Sequence, residues 1–190
     1  SKYNRTNDDI QQSVNEWCDD PTKAEAKYGH ISEWNTSLVT NMKKLFEFKS
    51  DFNDDISKWD VSSVTNMSHM FWSTPFNGDI SGWDVSSVTH MGAMFHETPF
   101  VGDISGWDVS SVTDMGHMFF MARSFNGDIS GWNVSSVTNM SYMFSRTPFN
   151  GDISGWDVSS VTSMEYMFSR TLFNGDISGW NVSSVTNMRS

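Results

Sequence analysis

Phe76 to Phe95 reads FNGDISGWDVSSVTHMGAMF. Its apolar positions are Phe76, Ile80, Trp83, Val85, Val88, Met91, Met94 and Phe95. Trp83-Asp84-Val85-Ser86 alternates apolar and polar residues, the period of a strand. Met91, Met94 and Phe95 follow the i, i+3, i+4 spacing of a helical turn. Asn77-Gly78 is a turn signal. One such unit cannot bury eight apolar side chains by itself, so copies above and below must cover them.

The copies are present. Trp34, Trp59, Trp83, Trp107, Trp132, Trp156 and Trp180 are spaced 25, 24, 24, 25, 24 and 24 residues apart. Trp17 precedes the series and Trp72 lies off it. The apolar positions recur in register, with swaps such as Leu45 for Met94. The extra residue of a 25-residue unit falls after the Met-Phe pair, between Phe46 and Phe52 and between Phe119 and Phe125. A surface bend absorbs such a change, whereas a slip inside a strand would turn every side chain over. The expected fold is a leucine-rich-repeat-like solenoid. Each rung of 24 or 25 residues should supply one short parallel β-strand and one helical or 3-10 turn. Strand pairing at about 4.8 Å would give seven rungs a sheet roughly 30 Å long, with ladders of Trp, Val and Met/Phe.

Residues 1–30 fall outside the repeat and are expected to form a helical N-terminal cap. Thr6-Asn7-Asp8-Asp9 resembles a capping box with Asp in the Glu position. Ile10, Val14 and Trp17 share a helical face. Asp20-Pro21 marks a second start and Gly29 a stop. Residues 31–190 hold about six and a half rungs. They break off in mid-repeat at Met188-Arg189-Ser190. An open last rung exposes apolar columns and unpaired edge, so the natural protein is expected to continue beyond it.

The register Ile80-x-x-Trp83-x-Val85-x-x-Val88-x-x-Met91-x-x-Met94-Phe95 looks like a leucine-rich-repeat variant. It resembles the BspA-like surface-protein repeats, a mycoplasma-type domain of unknown function, whose signature is FN-x-DIS-x-WDVS-x-VTNM-x-x-MF. The resemblance extends over residues 31–190. It implies a bacterial or protist surface protein, with adhesion as the usual inference.

Composition narrows the function. Apolar residues make up 37% and aromatic residues 14%, so the apolar material is bulky and suits a thin core. A net charge of −11 opposes binding to nucleic acid or anionic membrane. The single cysteine, Cys18, forms neither an intrachain disulfide nor a CxxC metal pattern. Beside Trp17 it is expected to be a buried thiol. No apolar run reaches the roughly 18 residues of a membrane span.

No catalytic constellation emerges. His30, His69, His90, His96 and His117 have no metal-ligand spacing, although His69 and His117 hold one repeat position two rungs apart. No GxSxG elbow occurs. Asp55, Asp79, Asp103, Asp128, Asp152 and Asp176 precede the Ile of successive units. They serve either as Asx turns or, for Asp79, Asp103, Asp128, Asp152 and Asp176, as calcium ligands between rungs. A second row, Asn35, Asp60, Asp84, Asp108, Asn133, Asp157 and Asn181, should point out from the sheet. From Asp60 to Asn181 it forms a possible binding face. Ser62-Ser63-Val64-Thr65 and its copies either satisfy the backbone or bind sugar or ice. Sequons at Asn4, Asn35, Asn66, Asn133, Asn139 and Asn181 are by-products of the repeat. Trp72, His96, Phe120, Met121, Arg146 and Arg170 follow the Met-Phe pair, where the repeat constrains least, and are candidate contact residues. The expected function is a non-catalytic extracellular or surface recognition or adhesion scaffold for a protein or glycan partner, with end-to-end or lateral self-association. The alternatives are a calcium-stabilised spacer or filament segment, then carbohydrate or ice binding.

Overall fold

The computed structural model describes residues 1–190. Its first segment opens with a turn, closed by Asn4 N–H donating to the Ser1 carbonyl, and joins the stack directly. Arg5 N–H donates to the Asn35 carbonyl and Asn35 N–H to the Tyr3 carbonyl, both at 2.9 Å. Two helices follow, α1 (Ile10–Asp19) and α2 (Pro21–Tyr28). Asp9 Oδ1 accepts the Thr6 N–H at 2.9 Å, the reciprocal half of a capping box. The Thr6 hydroxyl accepts from Asp8 N–H rather than from Asp9. Asp20 caps α2 through the Lys23 N–H, Pro21 opens it, and Gly29 ends it at φ 77°. Ile10, Val14 and Trp17 of α1 and Ala24 and Tyr28 of α2 are buried. They close the core below Trp34. Arg5 threads between these parts. It is 4% exposed, lies over the Tyr28 ring, pairs with Asp9 at 3.2 Å and donates to Ser13 Oγ at 2.8 Å. Cys18 is half-buried, and burial pushes its thiol pKa up.

From residue 31 on, the chain winds as stacked coils, but not as the expected leucine-rich-repeat-like solenoid. No rung contains a β-strand, and none from Asn35 on contains a helical or 3-10 turn. Successive rungs meet at single parallel bridges: Asn41 to Asn66, His90, Asp114, Asn139, Ser163 and Asn187 in turn. The reason lies in the backbone donors. Trp83 and Asp84-Val85 alternate in burial as a strand would. Yet Trp83 N–H donates back to the Ile80 carbonyl and Val88 N–H to Val85. Ser81 and Ser86 N–H donate to the Asp79 and Asp84 side chains. The N–H groups a ladder needs are consumed by turns within the rung.

The Met-Phe segment is a run of turns rather than a helical turn. In residues 67–74, the N–H groups of Met67, His69, Phe71 and Ser73 donate to the carbonyls of His90, Gly92, Met94 and His96 in the next rung. Met70, Trp72 and Thr74 N–H donate back three residues instead. Left-handed residues make this possible, at His69 (φ 60°) and Ser73 (φ 56°) here and at equivalent pairs in the other rungs. The side chains of Met67, Met70, Phe71 and Thr74 point inward and those between point outward.

Side chains supply the remaining links. From Trp59 to Trp180, each repeat indole N–H donates to the Ile carbonyl of the rung before, as Trp83 to Ile56 at 3.2 Å and Trp107 to Ile80 at 3.1 Å. Thr89 N–H and hydroxyl both donate to the Thr65 carbonyl. Phe71 stacks on Phe76 at 4.1 Å and on Phe95 of the next rung at 5.8 Å. The 25-residue rungs hold the same Phe pair, at 3.8 Å for Phe119 and Phe125. The spare residue goes into an extra turn, Ala122 to Phe125, where shorter rungs use a Thr hydroxyl to accept the second Phe's N–H.

Candidate functional site

The two aspartate rows are committed to their own rungs. Asp79 Oδ1 accepts the Ser81 N–H at 3.0 Å and its hydroxyl at 2.7 Å. Asp103, Asp128 and Asp152 do the same with Ser105, Ser130 and Ser154, and Asp176 accepts the Ser178 N–H. The serine hydroxyl, then its N–H, hold the Asp79, Asp103, Asp128 and Asp152 carboxyls below the usual range. In the second row Asp60, Asp84, Asp108, Asn133, Asp157 and Asn181 accept the N–H groups of Ser62, Ser86, Ser110, Ser135, Ser159 and Ser183. That row is exposed along its whole length. No three His, Cys, Asp or Glu side chains come close enough together to hold a metal ion.

The variable positions gather more closely. Trp72 and His96 stack at 4.6 Å with planes 8° apart, and Phe120 meets His96 edge-on at 4.8 Å. A neighbouring register brings in His69, 5.3 Å from Trp72, and His117, 5.6 Å from Phe120. His117 in turn stacks on Tyr142 at 4.6 Å. Met121 is half-buried beside this group, while Arg146 and Arg170 are exposed further along and line no part of it.

These rings form one wall of a cleft of about 640 Å³. Asn66, His90, Asp114 and Asn139 of the bridge column form the other, with Ser68 and Ser141 at the ends. The floor is Gly92, Ala93 and Gly116. Other rungs carry Ser68, Ser141 or Glu165 at the position of Gly92 and Gly116. They carry His69, His117, Tyr142 or Tyr166 at the position of Ala93. The cleft exists because two neighbouring rungs have glycine at the first position and the rung of Gly92 also lacks a ring at the second, where the rung of Gly116 keeps His117. It is also tightly framed: a Cβ on Gly116 would lie 2.6 Å from Asn139 Nδ2.

Lys43 and Asp114 are the charged side chains of the lining. Burial pushes the His69 and His117 imidazoles down, and that of His96 to about 4, so all three are neutral at neutral pH. Asp114 Oδ1 accepts the Gly116 N–H at 2.8 Å and Asn139 Nδ2 at 3.2 Å. Its Oδ2 lies 3.5 Å from where a Cβ on Gly92 would sit, facing the floor. Two wall atoms, His69 Nδ1 and Trp72 Nε1, are shielded and have no partner. On the floor, Ala93 N–H donates to the Gly116 carbonyl of the next rung and Gly116 N–H to Asp114, while Gly92 N–H has no partner.

Sequence reasoning found Trp72, His96 and Phe120. It set aside His69 and His117 as scattered variation and did not single out Asp114, Gly92, Ala93 or Gly116. The available signal was the loss of bulk at one repeat position on adjacent rungs.

Residues 12–107 and, again, residues 96–190 match the family described as "Mycoplasma protein of unknown function, DUF285". The chain belongs to this family. Two tandem matches also establish its repeat nature. No curated protein and no solved structure matches it. No helix is long and apolar enough to cross a membrane.

Proposed function

We propose that this protein is a non-catalytic recognition scaffold that works outside the cell or at its surface, in the manner of the BspA-like surface proteins its repeat resembles. One observation carries the reading. Residues that build the stack recur in every rung, while differences between rungs concentrate on the outer face of the turn runs. There they form a cleft of aromatic and polar side chains within the size range of ligand sites. The opposite polar rows repeat without such variation, and their Asx turns account for them.

The test is binding of the purified chain to immobilised extracellular-matrix proteins and to a glycan array. Saturable binding that Trp72→Ala and Phe120→Ala weaken, and that Asp108→Asn leaves unchanged, supports the scaffold reading and its interface. No saturable binding to either surface, or equal weakening by Asp108→Asn, overturns it.

A further inference from the structure

We infer that the cleft over Gly92, Ala93 and Gly116 binds a neutral carbohydrate, one or a few pyranose rings long. This rests on the recognition reading above and names its ligand.

The protein carries a net −11, yet this cleft holds one lysine and one aspartate among neutral rings, amides and hydroxyls. Its buried imidazoles, His69, His96 and His117, are uncharged at neutral pH because burial disfavours the cation. Such a site offers no electrostatic gain to an anion or a cation, so its ligand is uncharged.

Polar chemistry narrows the choice. Amide, carboxylate, imidazole and indole side chains supply donors and acceptors in fixed planes. Asp114 Oδ2 is an acceptor aimed at the floor, while its partner oxygen is locked by two bonds. Buried polar atoms in folded proteins nearly always have partners. The orphaned His69 Nδ1 and Trp72 Nε1 are shielded within one wall, so the polar groups left for a ligand are Asp114 Oδ2 and the Asn66 and Asn139 amides. A sugar presents hydroxyls that both donate and accept. It also presents an apolar C–H face suited to the aromatic wall that faces Asp114.

A peptide fits less well. An extended peptide gains its affinity from unpaired backbone at an edge. Here the Ala93 N–H is bonded to the next rung and the Gly116 N–H to Asp114, leaving that of Gly92 as the one free backbone donor of the floor, so side chains must do most of the recognising.

The experiment is titration of the full chain with maltose, cellobiose, lactose and diacetylchitobiose, read by calorimetry and tryptophan fluorescence. Two variants accompany it. Ala93→Tyr fills the floor with a residue that adopts the same left-handed backbone at Tyr142 and Tyr166. Asp114→Asn removes the carboxylate and keeps the shape. At least one sugar should bind, Ala93→Tyr should abolish the binding, and Asp114→Asn should weaken it at least about tenfold. Unchanged melting of both variants shows that the fold survives. No binding of any of the four, or binding indifferent to Ala93→Tyr, overturns the assignment. If the chain instead binds a matrix protein through Trp72 and Phe120, the scaffold reading stands and the sugar assignment falls.

Discussion

The indole N–H is the residue-scale link that the Trp periodicity concealed. The spacing of the seven tryptophans revealed a stack of rings, and their burial followed from it. It could not reveal that each ring from Trp59 to Trp180 also donates to the Ile carbonyl of the preceding rung. Trp107→Phe keeps an aromatic ring but removes one of the two donors to the buried Ile80 carbonyl, which still accepts the Trp83 N–H. The expected cost is about 0.5–1.5 kcal/mol, read as a lower urea midpoint at unchanged slope. A loss under about 0.5 kcal/mol would mean the bond is idle. A second ladder was read only as a turn signal. Asn53 Oδ1 accepts the Asn77 N–H, Asn77 accepts from Val101, Asn126 from Asn150 and Asn150 from Asn174. The series breaks at Val101, whose side chain accepts nothing and is 53% exposed. Val101→Asn gives Asn126 N–H an acceptor and should raise stability by about 0.5–1 kcal/mol. Unchanged or lower stability would show that water already serves that N–H.

At the scale of the element, alternation of burial was legible and the backbone beneath it was not. Trp83 and Val85 do point inward, but Asp79 and Asp84 draw their serines into Asx turns, and no ladder remains to be made. Side-chain acceptors two residues before a Ser were the available warning. The turn run hides another feature, because its left-handed positions carry Ser, Ala, His, Tyr and Arg instead of Gly. Ser73 sits third in the turn closed by Phe71 and Thr74, the position that favours glycine. Its hydroxyl makes no hydrogen bond. Ser73→Gly should therefore gain up to about 1 kcal/mol once glycine's unfolded-state entropy is subtracted. A loss on thermal unfolding would show that the side chain packs usefully. The ring column adds a pH dependence. His96 faces His69, His117, Trp72 and Phe120, with Glu47, Lys43, Lys44, Asp114 and Glu165 around the cluster. Its folded pKa of about 4 lies below the 6.5 of the free group, so the unfolded chain binds the extra proton first. Stability is then full above pH 6.5 and falls as pH drops from 6.5 towards 4, by up to about 3 kcal/mol. His96→Phe, which places in this register the residue that Phe120 already supplies one rung on, should flatten most of that slope. An equally steep decline in the variant would assign the effect to other groups.

For the whole molecule, stacking was legible because identical side chains at a fixed period can be buried in few other ways. The cleft was not, because it is made by side chains that are missing from two rungs. Long rows of like charge are the other whole-molecule property. Asp55 and Asp103, one rung to either side, raise the pKa of Asp79, a direct sign of repulsion along the row. Local bonds to serine outweigh that repulsion and keep these carboxyls ionised, so they remain charged down to the acid range. Two kinds of cation effect would relieve the repulsion. Screening depends on ionic strength alone. Coordination by calcium requires six to eight oxygens around one ion. Each Asp offers Oδ1 to its own serine, and no three His, Cys, Asp or Glu side chains are close enough to share an ion. Sodium chloride and calcium chloride at equal ionic strength should therefore raise the melting temperature equally. A larger rise in calcium, reversed by chelator and absent in Asp103→Asn, would mean that neighbouring rungs rearrange to build a site. The rows would then be the metal-dependent spine of a spacer rather than a screened and solvated face.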